Sequence, residues 1–304
     1  MTADIAPSQD SLLTMAMHGV AEAIDRQFDL LLPVPEDARA RLFQAMRHSA
    51  MGGGKRMRPL LVKASADLFA VSEDSAIRVG LAVECIHVYS LVHDDLPAMD
   101  DDDMRRGKPS AHKAFDEATA ILAGDCLHDL AFAILAEEST HADPFVRCEL
   151  VKALALSSGP MGMAGGQMMD LMAEKEPFDL ATVTRMQQLK TGALIDFCVE
   201  AGAILGRVPP EGRTHLHGYA RDLGLAFQIA DDLIDVDGDP DRAGKTLGKD
   251  EAAGKATFVS LMGAAHARTQ AEALIEQAKA HLRSYGREAD LLRRIADFAI
   301  ARDC

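Results

Sequence analysis

The sequence has few of the features that mark secreted or membrane-spanning proteins. No two of its five cysteines form a CxxC pair, and four of them lie in apolar, helix-like surroundings. This pattern suits buried free thiols in a reducing compartment better than a disulfide scaffold. The N-terminus lacks the basic start and apolar core of a signal peptide, and no apolar run approaches the roughly 18 residues of a membrane span. We therefore predict a cytoplasmic protein without stable membrane insertion.

The chain is also poor in strand signals and in linkers. No segment shows sustained alternation rich in Val, Ile and Thr, whereas apolar residues recur at helical spacing along most of the chain. The clearest helical patterns cover residues 11–32, 37–51, 118–138, 183–205 and 217–236. The Pro-containing stretches between them are too short to separate domains. The sequence thus predicts an all-α fold of about ten or more helices in a single domain, residues 1–304.

Basic residues are outnumbered by acidic ones. The chain has 32 Lys and Arg against 47 Asp and Glu, which gives a net charge of −15. Nucleic acid and anionic membrane surfaces are therefore not expected as general partners, although a local basic pocket remains compatible with this balance.

The acidic residues are concentrated in one short stretch, DDLPAMDDDDMRRGKP (94–109). A run of acids is usually a solvated loop, but here an apolar helical pattern leads directly into it. Pro97 should end that helix near Asp95, because its ring clashes with the carbonyl four residues earlier. Asp94 and Asp95 then lie at the negative end of the helix dipole, where carboxylates are unfavourable. A bound cation would compensate them.

A second block, DDLIDVDGDPDRAGKT (231–246), loosely repeats the first. Asp231 and Asp235 are four residues apart and Asp232 and Asp235 three apart, so all three can face one side of a helix. In the first block, the break at Pro97 lets Asp100 fold back towards the preceding helix. Oxygen ligands without His or Cys suit Mg²⁺, which keeps waters and also takes phosphate oxygens. The pattern indicates Mg²⁺ with a phosphorylated substrate.

Basic residues near these blocks support a phosphate-binding site. They occur in GGGKRMRP (52–59), in the Arg pair at 105–106, in LKTGAL (189–194) and in GKTLGKDEAAGKAT (244–257). Arg and Lys are the usual phosphate donors, although any one of them alone is more often a surface base. Residues 238–246 do not match a P-loop, because five residues separate the two glycines instead of four. The glycine-rich stretch 159–170 predicts close helix packing, and the sequence leaves open whether its Gln167 and Asp170 also reach the site.

In combination these motifs resemble the trans-prenyl diphosphate synthases, and within that family the bacterial farnesyl diphosphate synthases. DDLPAMD resembles the first aspartate-rich motif of the family in its longer DDxxxxD form, and DDLID resembles the second. ECIHVYSLVHDD, GGQMMD, LKTGAL, FQIADD and GKTLGKDEAAGKAT follow in family order, so the likeness runs from about residue 52 to 258. No motif position departs from the pattern.

The resemblance implies a role for each motif residue. Metal ligands are expected at five aspartates: Asp94, Asp95, Asp100, Asp231 and Asp235. Contacts to the allylic diphosphate are expected from six residues: Arg105, Lys190, Thr191, Gln228, Lys245 and Lys255. Contacts to isopentenyl diphosphate are expected from five residues: Gly54, Lys55, Arg58, His87 and Arg106.

The same resemblance implies the fold, the reaction and the assembly. It implies one helical bundle around a deep central cavity, the isoprenoid synthase fold, three Mg²⁺ ions per site with Mn²⁺ as an alternative, and a homodimer. The reaction would be the head-to-tail condensation of isopentenyl diphosphate with dimethylallyl and geranyl diphosphate to (2E,6E)-farnesyl diphosphate.

The chain length of the product rests on Tyr89 and Ser90. Tyr89 lies five residues before Asp94, about 7.5 Å along a helix, where its ring can close the cavity, whereas Ser90 is too small to do so. An aromatic residue at this place is the pattern of the bacterial farnesyl synthases, although a tyrosine is more often a packing residue.

Three other functions are alternatives to this one. A terpene cyclase or head-to-head synthase has no use for a second diphosphate pocket such as GGGKRMRP. A catalytically silent subunit should have lost acids from one block, and both blocks are intact. A geranylgeranyl diphosphate synthase, whose product is one prenyl unit longer, is the main alternative.

Overall fold

A computed structural model of the chain describes residues 9–237 and 255–301, and the all-α prediction is confirmed for them. Lys245 and Cys304 lie outside the described residues. The α-helices are α1 Gln9–Leu31, α2 Ala40–Ala50, α3 Met57–Asp67, α4 Glu73–Asp94, α5 Ala111–Ala114, α6 Glu117–Ala136, α7 Pro144–Ser158, α8 Met163–Ala173, α9 Leu180–Gln187, α10 Ala193–Leu205, α11 Thr214–Asp237, α12 Phe258–Met262, α13 Ala264–His281 and α14 Asp290–Ala301. A π-helix spans Gln188–Gly192, and 3₁₀ turns span Pro210–Arg213 and Arg283–Ala289.

Local sequence signals set several helix ends. The Ser72 side chain caps α4, Asp116 caps α6, Asp143 caps α7 and Asp179 caps α9, each by accepting a backbone N–H of the first turn. Such caps satisfy amide donors that have no partner inside the helix. Helix α4 ends at Asp94, as the position of Pro97 predicted. The sequence therefore fixes where these four helices begin.

Helices α3, α4 and α10 form the centre of the core. Helix α10 is buried along nearly its whole length, and α3 packs against both α10 and α4. Glycines allow the backbones to approach: a Cβ on Gly202 would lie 2.4 Å from the Ala66 amide nitrogen, and one on Gly80 would lie 3.1 Å from Pro59. This close packing holds the last turn of α4, which carries the first aspartates, on a rigid support.

The predicted helix 183–205 is interrupted. It consists of α9, the five-residue π-helix Gln188–Gly192 and α10. The π-helix contains Lys190 and Thr191, two residues predicted to contact substrate. A wider turn of this kind is not visible as a change of apolar periodicity, and such π-bulges are common at functional sites.

A short hairpin departs from the expectation of no strands. Met104–Arg105 pairs with Lys108–Pro109 in an antiparallel ladder. The two residues between them, Arg106 and Gly107, have φ angles of 52° and 73°. Positive φ at both central residues is the signature of a type I′ hairpin turn. Strands of only two residues are too short to produce an alternating pattern in the sequence, so the hairpin could not be predicted from it.

Two other expectations need correction. Cys85 and Cys198 are buried free thiols as predicted, but Cys126 is only half-buried and Cys148 is exposed. By length and composition, helices α4 and α6 are long and apolar enough to cross a membrane. This differs from the sequence-based expectation that no apolar segment approaches the length of a membrane span. Of the most apolar part of each helix, 67% is buried inside the fold in α4 and 39% in α6.

Candidate active site

The first aspartate block folds back on the end of α4. The Asp100 amide donates a hydrogen bond of 2.8 Å to the Asp94 carbonyl, the return predicted from the break at Pro97. The two aspartates at the helix end then differ in environment. Asp95 is buried and accepts a 3.0 Å hydrogen bond from Arg105 Nε, and Arg105 also reaches Asp102 at 3.2 Å. Asp95 therefore fixes the loop through Arg105, whereas Asp94 lines the cavity described below.

Asp94 carries unfavourable charge in the absence of a cation. Burial first, and then the negative charge of Asp100, raise the pKa of Asp94 to about 6, although Lys190 opposes the rise. A carboxylate whose ionised form is disfavoured by burial and by a like charge is stabilised when a cation binds. The donor set at this place consists of carboxylate oxygens, which are the ligands that Mg²⁺ prefers. The residues present therefore fit the metal expected from the sequence.

The three aspartates of the second block, all in α11, differ in burial. Asp231 and Asp235 are half-buried and four residues apart. Asp232 is buried instead and accepts hydrogen bonds from the Phe258 amide at 2.9 Å and from Gln228 Nε2 at 3.1 Å. Asp232 thus uses both of its carboxylate oxygens, one of which anchors the start of α12.

In the described parts of the chain, two groups of three possible metal ligands have their ligand atoms within 4.8 Å of one another, and neither contains an aspartate of the predicted metal site. One group is Asp101, Asp103 and His112, and the other is Asp196, Glu200 and His217. The aspartates predicted to bind metal do not form such a group with one another in these residues.

A cationic wall, formed by Lys190 of the π-helix and Lys255 before α12, lies near the first aspartate block. Lys190 Nζ lies 2.8 Å and Lys255 Nζ 3.1 Å from the same carboxylate oxygen of Asp170. Burial alone would raise the pKa of Asp170, but the two ammonium groups outweigh it and lower that pKa. Thr191 Oγ1 donates to Gln228 Oε1 at 3.2 Å, which ties the π-helix to α11. Asp170 thus holds both lysines beside the site, the contribution that the sequence had left open.

The π-helix can take this position because of Gly166. A Cβ at this residue would lie 2.1 Å from the Lys190 amide nitrogen. The prediction that the glycine-rich stretch serves close helix packing is therefore confirmed. Gln167, the next residue, lines the cavity, and its buried Nε2 has no hydrogen-bond partner among the described residues.

A cavity of about 400 Å³ reaches Asp94 of the first aspartate block and Lys190 of the cationic wall. It lies between α4, α8 and the π-helix, and its lining includes six of the predicted site residues: Arg58, His87, Tyr89, Asp94, Lys190 and Thr191. Ser90 also lines it, but its hydroxyl donates to the His87 carbonyl of its own helix at 2.8 Å. The cavity therefore joins the acidic and cationic groups to an apolar interior.

A second cationic region lies beside the first. Desolvation in the cavity wall, and then the positive charges of Arg58 and Arg106, hold the pKa of His87 well below its ordinary value, so this imidazole is neutral. Arg58 Nε is buried without a hydrogen-bond partner in the described part of the chain. Arg106 Nη1 donates to the Gly53 carbonyl at 3.0 Å. The Lys55 ammonium lies 5.5 Å from the centre of the Phe298 ring.

Tyr89, which lines the cavity, packs against other aromatic rings. The Tyr89 ring makes edge contacts with His93 at 5.6 Å and with His128 at 5.2 Å between ring centres. His128 in turn contacts Phe132 at 5.0 Å. The sequence pointed to Tyr89 alone, because the supporting rings come from α6, about 40 residues later in the chain.

The comparisons with known proteins agree with this geometry. A family model for polyprenyl synthetases matches residues 39–292. The chain belongs to the polyprenyl synthetase family. The resemblance inferred from the sequence is therefore confirmed, and the protein is a prenyltransferase that elongates prenyl chains.

Individual members of the family are similar over most of their length. A solved structure of an FPP/GFPP synthase from Zymomonas mobilis has 58% sequence identity and a TM-score of 0.88, and the match covers 95% of this chain and 99% of that one. The farnesyl diphosphate synthase of Escherichia coli is 43% identical over 86% of this chain and 89% of its own length. The geranylgeranyl diphosphate synthase of Cyanophora paradoxa is 38% identical over 89% of this chain and 90% of its own. The bundle thus has the isoprenoid synthase fold.

Proposed function

We propose that this polyprenyl synthetase is a Mg²⁺-dependent farnesyl diphosphate synthase. The observation that supports it is a cavity of about 400 Å³ whose lining includes Asp94 and Lys190, Arg58 and the neutral His87, and Tyr89. Two separate diphosphate groups and one growing hydrocarbon tail need such an arrangement. The substrates are dimethylallyl or geranyl diphosphate together with isopentenyl diphosphate.

Asp94 and Asp100 at one side and Asp231 and Asp235 at the other would hold the metal, with three Mg²⁺ ions expected from the resemblance and Mn²⁺ as the alternative. Mg²⁺, when bound, neutralises part of the negative charge that develops on the leaving diphosphate. Asp95 supports this side indirectly, because it holds Arg105 in place.

The allylic diphosphate binds against the cationic wall. Lys190 and Lys255 present their ammonium groups there, since Asp170 holds both within 3.1 Å. The linked pair Thr191 and Gln228 adds neutral hydrogen-bonding groups. Arg105 and Lys245 complete the predicted set, although Lys245 lies outside the described residues. Fixed cations of this kind stabilise the charge that forms when the allylic carbon–oxygen bond breaks, most strongly where water is excluded.

Isopentenyl diphosphate binds in the second cationic region, where Lys55, Arg58 and Arg106 supply charge and His87 supplies a neutral hydrogen-bonding group. Its double bond attacks the allylic cation head-to-tail, the new carbon–carbon bond forms, and a proton leaves the adjacent carbon. We assign the departing diphosphate as the acceptor of that proton, since the reaction requires no nucleophile or base from the protein.

The product is expected to have fifteen carbons. Tyr89, which His128 and Phe132 support from behind, closes the cavity below the aspartates. The relatives include both farnesyl and geranylgeranyl diphosphate synthases, so a twenty-carbon product is the second candidate. The family resemblance also implies a homodimer, which light scattering on the purified chain would measure.

One experiment tests the function and its metal together. The purified chain is incubated with dimethylallyl and isopentenyl diphosphates and Mg²⁺, and the products are separated by chromatography. Farnesyl diphosphate should accumulate, and excess chelator should abolish turnover. Asp94→Ala and Asp231→Ala should each lower kcat/KM by roughly 10²–10³-fold, the loss typical of removing one preorganised electrostatic group.

Asp67→Ala is the matched control, because Asp67 is an exposed aspartate that pairs only with Lys63 in its own helix. Its turnover should equal that of the unmodified protein. Turnover within threefold of normal for either Asp94→Ala or Asp231→Ala would contradict the metal assignment.

A further inference from the structure

Glu84 is a buried acid that the sequence reasoning did not single out. It lies in the middle of α4, one turn before His87, with 1% of its surface exposed. An ionised carboxylate in an apolar interior is costly unless it is paired and hydrogen-bonded. The partners of Glu84 therefore explain why it can be accommodated there. A lone acid inside the apolar run 80–92 is the sequence signal that would have found it.

The first partner is Arg56, which immediately precedes α3. Arg56 Nη1 donates to Glu84 Oε1 at 2.7 Å, and Nη2 donates to Asp25 at 2.7 Å and to the Ala50 carbonyl at 2.5 Å. Burial alone would lower the pKa of Arg56, but Glu84 first and then Asp25 outweigh it and raise that pKa. Arg56 has a φ of 47°, in the left-handed region that non-glycine residues rarely adopt. The pair with Glu84 therefore holds a strained residue in place.

The second partner is Arg106, in the turn of the hairpin. Arg106 Nη2 lies 3.8 Å from the same oxygen, Glu84 Oε1. Burial first lowers the pKa of Arg106, and Glu84 is the negative charge that opposes this. Arg106 in turn packs on the glycine loop: a Cβ on Gly54, whose φ is +85°, would lie 2.7 Å from the guanidinium carbon.

One carboxylate oxygen thus faces two guanidinium groups from two different segments. Arg56 ends the glycine loop 51–56, which carries Lys55, and Arg106 belongs to the turn after the first aspartate block. The two segments are 50 residues apart in the chain, and α4 supplies the charge between them. The arrangement fixes the spacing of the cations that face isopentenyl diphosphate in the proposed function.

We propose that Glu84 is a positioning residue for the isopentenyl diphosphate pocket, which acts through Arg56 and Arg106 without touching the substrate. This inference rests on the proposed function of that pocket. Positioning and a simple charge effect predict opposite changes in diphosphate binding when Glu84 is replaced. If Glu84 only balanced charge, its removal would make the pocket more positive and tighten diphosphate binding. If it positions the two arginines, its removal weakens that binding.

The test is steady-state kinetics of Glu84→Gln, which keeps the size of the side chain and removes its charge. The KM for isopentenyl diphosphate is measured at saturating geranyl diphosphate, and the KM for geranyl diphosphate at saturating isopentenyl diphosphate. We expect the first KM to rise about tenfold, as for loss of a charge-assisted hydrogen bond, and the second to stay within about twofold. Circular dichroism and thermal unfolding establish that the variant is folded.

Asp25→Asn is the matched control. It removes a negative charge from the vicinity of the same arginine, Arg56, but Asp25 is partly exposed and pairs with Arg56, not with Arg106, in the described part of the chain. Both KM values should stay within about twofold. An unchanged or lowered KM for isopentenyl diphosphate in Glu84→Gln, or an equal rise for both substrates, would overturn the proposal.

Two further variants complete the test. If Glu84→Gln does not fold, Glu84→Asp replaces it: the charge remains but is withdrawn by one methylene, so the same selective rise is expected and its absence refutes positioning. Arg58→Ala reports on the pocket itself. If Arg58→Ala is selective for isopentenyl diphosphate and the Glu84 variant is not, only the inference about Glu84 fails. If Arg58→Ala is not selective, the assignment of the pocket fails.

Discussion

Replacing Asp94 by asparagine should stabilise the metal-free protein while it abolishes activity. The pKa of Asp94 is about 6, against an ordinary value of 3.8, because burial and the charge of Asp100 disfavour the carboxylate. The difference of about two pH units corresponds to about 3 kcal/mol. Since Asp94 is only half-buried, solvent screening reduces the expected effect to about 2 kcal/mol. Asparagine has nearly the same shape without the charge, so it removes this cost.

The pH dependence follows from the direction of the shift in the pKa of Asp94. The folded protein holds the proton more tightly than the unfolded chain, so stability falls as pH rises from 3.8 to about 6. The cost is fully present above pH 6 and absent below pH 3.8. The gain from Asp94→Asn should therefore be complete at pH 8 and about a third as large at pH 4.5.

The assay is urea unfolding with excess chelator, followed by circular dichroism because the chain contains no tryptophan. Asp67→Asn, on an exposed surface, should change the free energy of unfolding by less than about 0.5 kcal/mol at either pH. Added Mg²⁺ should narrow the difference between Asp94→Asn and the unmodified protein. A variant that is no more stable at pH 8, or whose gain is the same at both pH values, would refute the reasoning.

Two other substitutions test the cavity and its wall. Tyr89→Ala should open the end of the cavity, so that twenty-carbon and longer diphosphates appear on chromatography. Ser90→Ala is the control and should leave the product unchanged. An active Tyr89→Ala variant whose product still has fifteen carbons would remove the physical basis for the farnesyl assignment. Gly166→Ala should lower stability and turnover, because its Cβ would lie 2.1 Å from the Lys190 amide. Gly19→Ala, at a helical position with nothing within 4 Å, should be neutral or up to about 1 kcal/mol more stable, and equal thermal midpoints for the two variants would contradict the packing argument.

Local chemistry in the sequence determined much of the molecule. The helical periodicity gave the all-α class, and Pro97 set the end of α4 at Asp94, because the effect of a proline on its own helix does not depend on the rest of the fold. The two aspartate blocks and the cations around them indicated the chemistry for the same reason. Charge and ligand type are properties of the residues themselves.

The tertiary structure alone decided which of those residues face the cavity. Asp231 and Asp232 are adjacent in the sequence, but Asp232 is turned to the Phe258 amide, 26 residues later, and Asp95 is taken up by Arg105. The backbone of the π-helix at Lys190 packs directly against Gly166 of α8. Glu84 meets Arg56 across 28 residues of chain. These pairings follow from packing between distant segments, and the periodicity of any one segment carries no information about its partner.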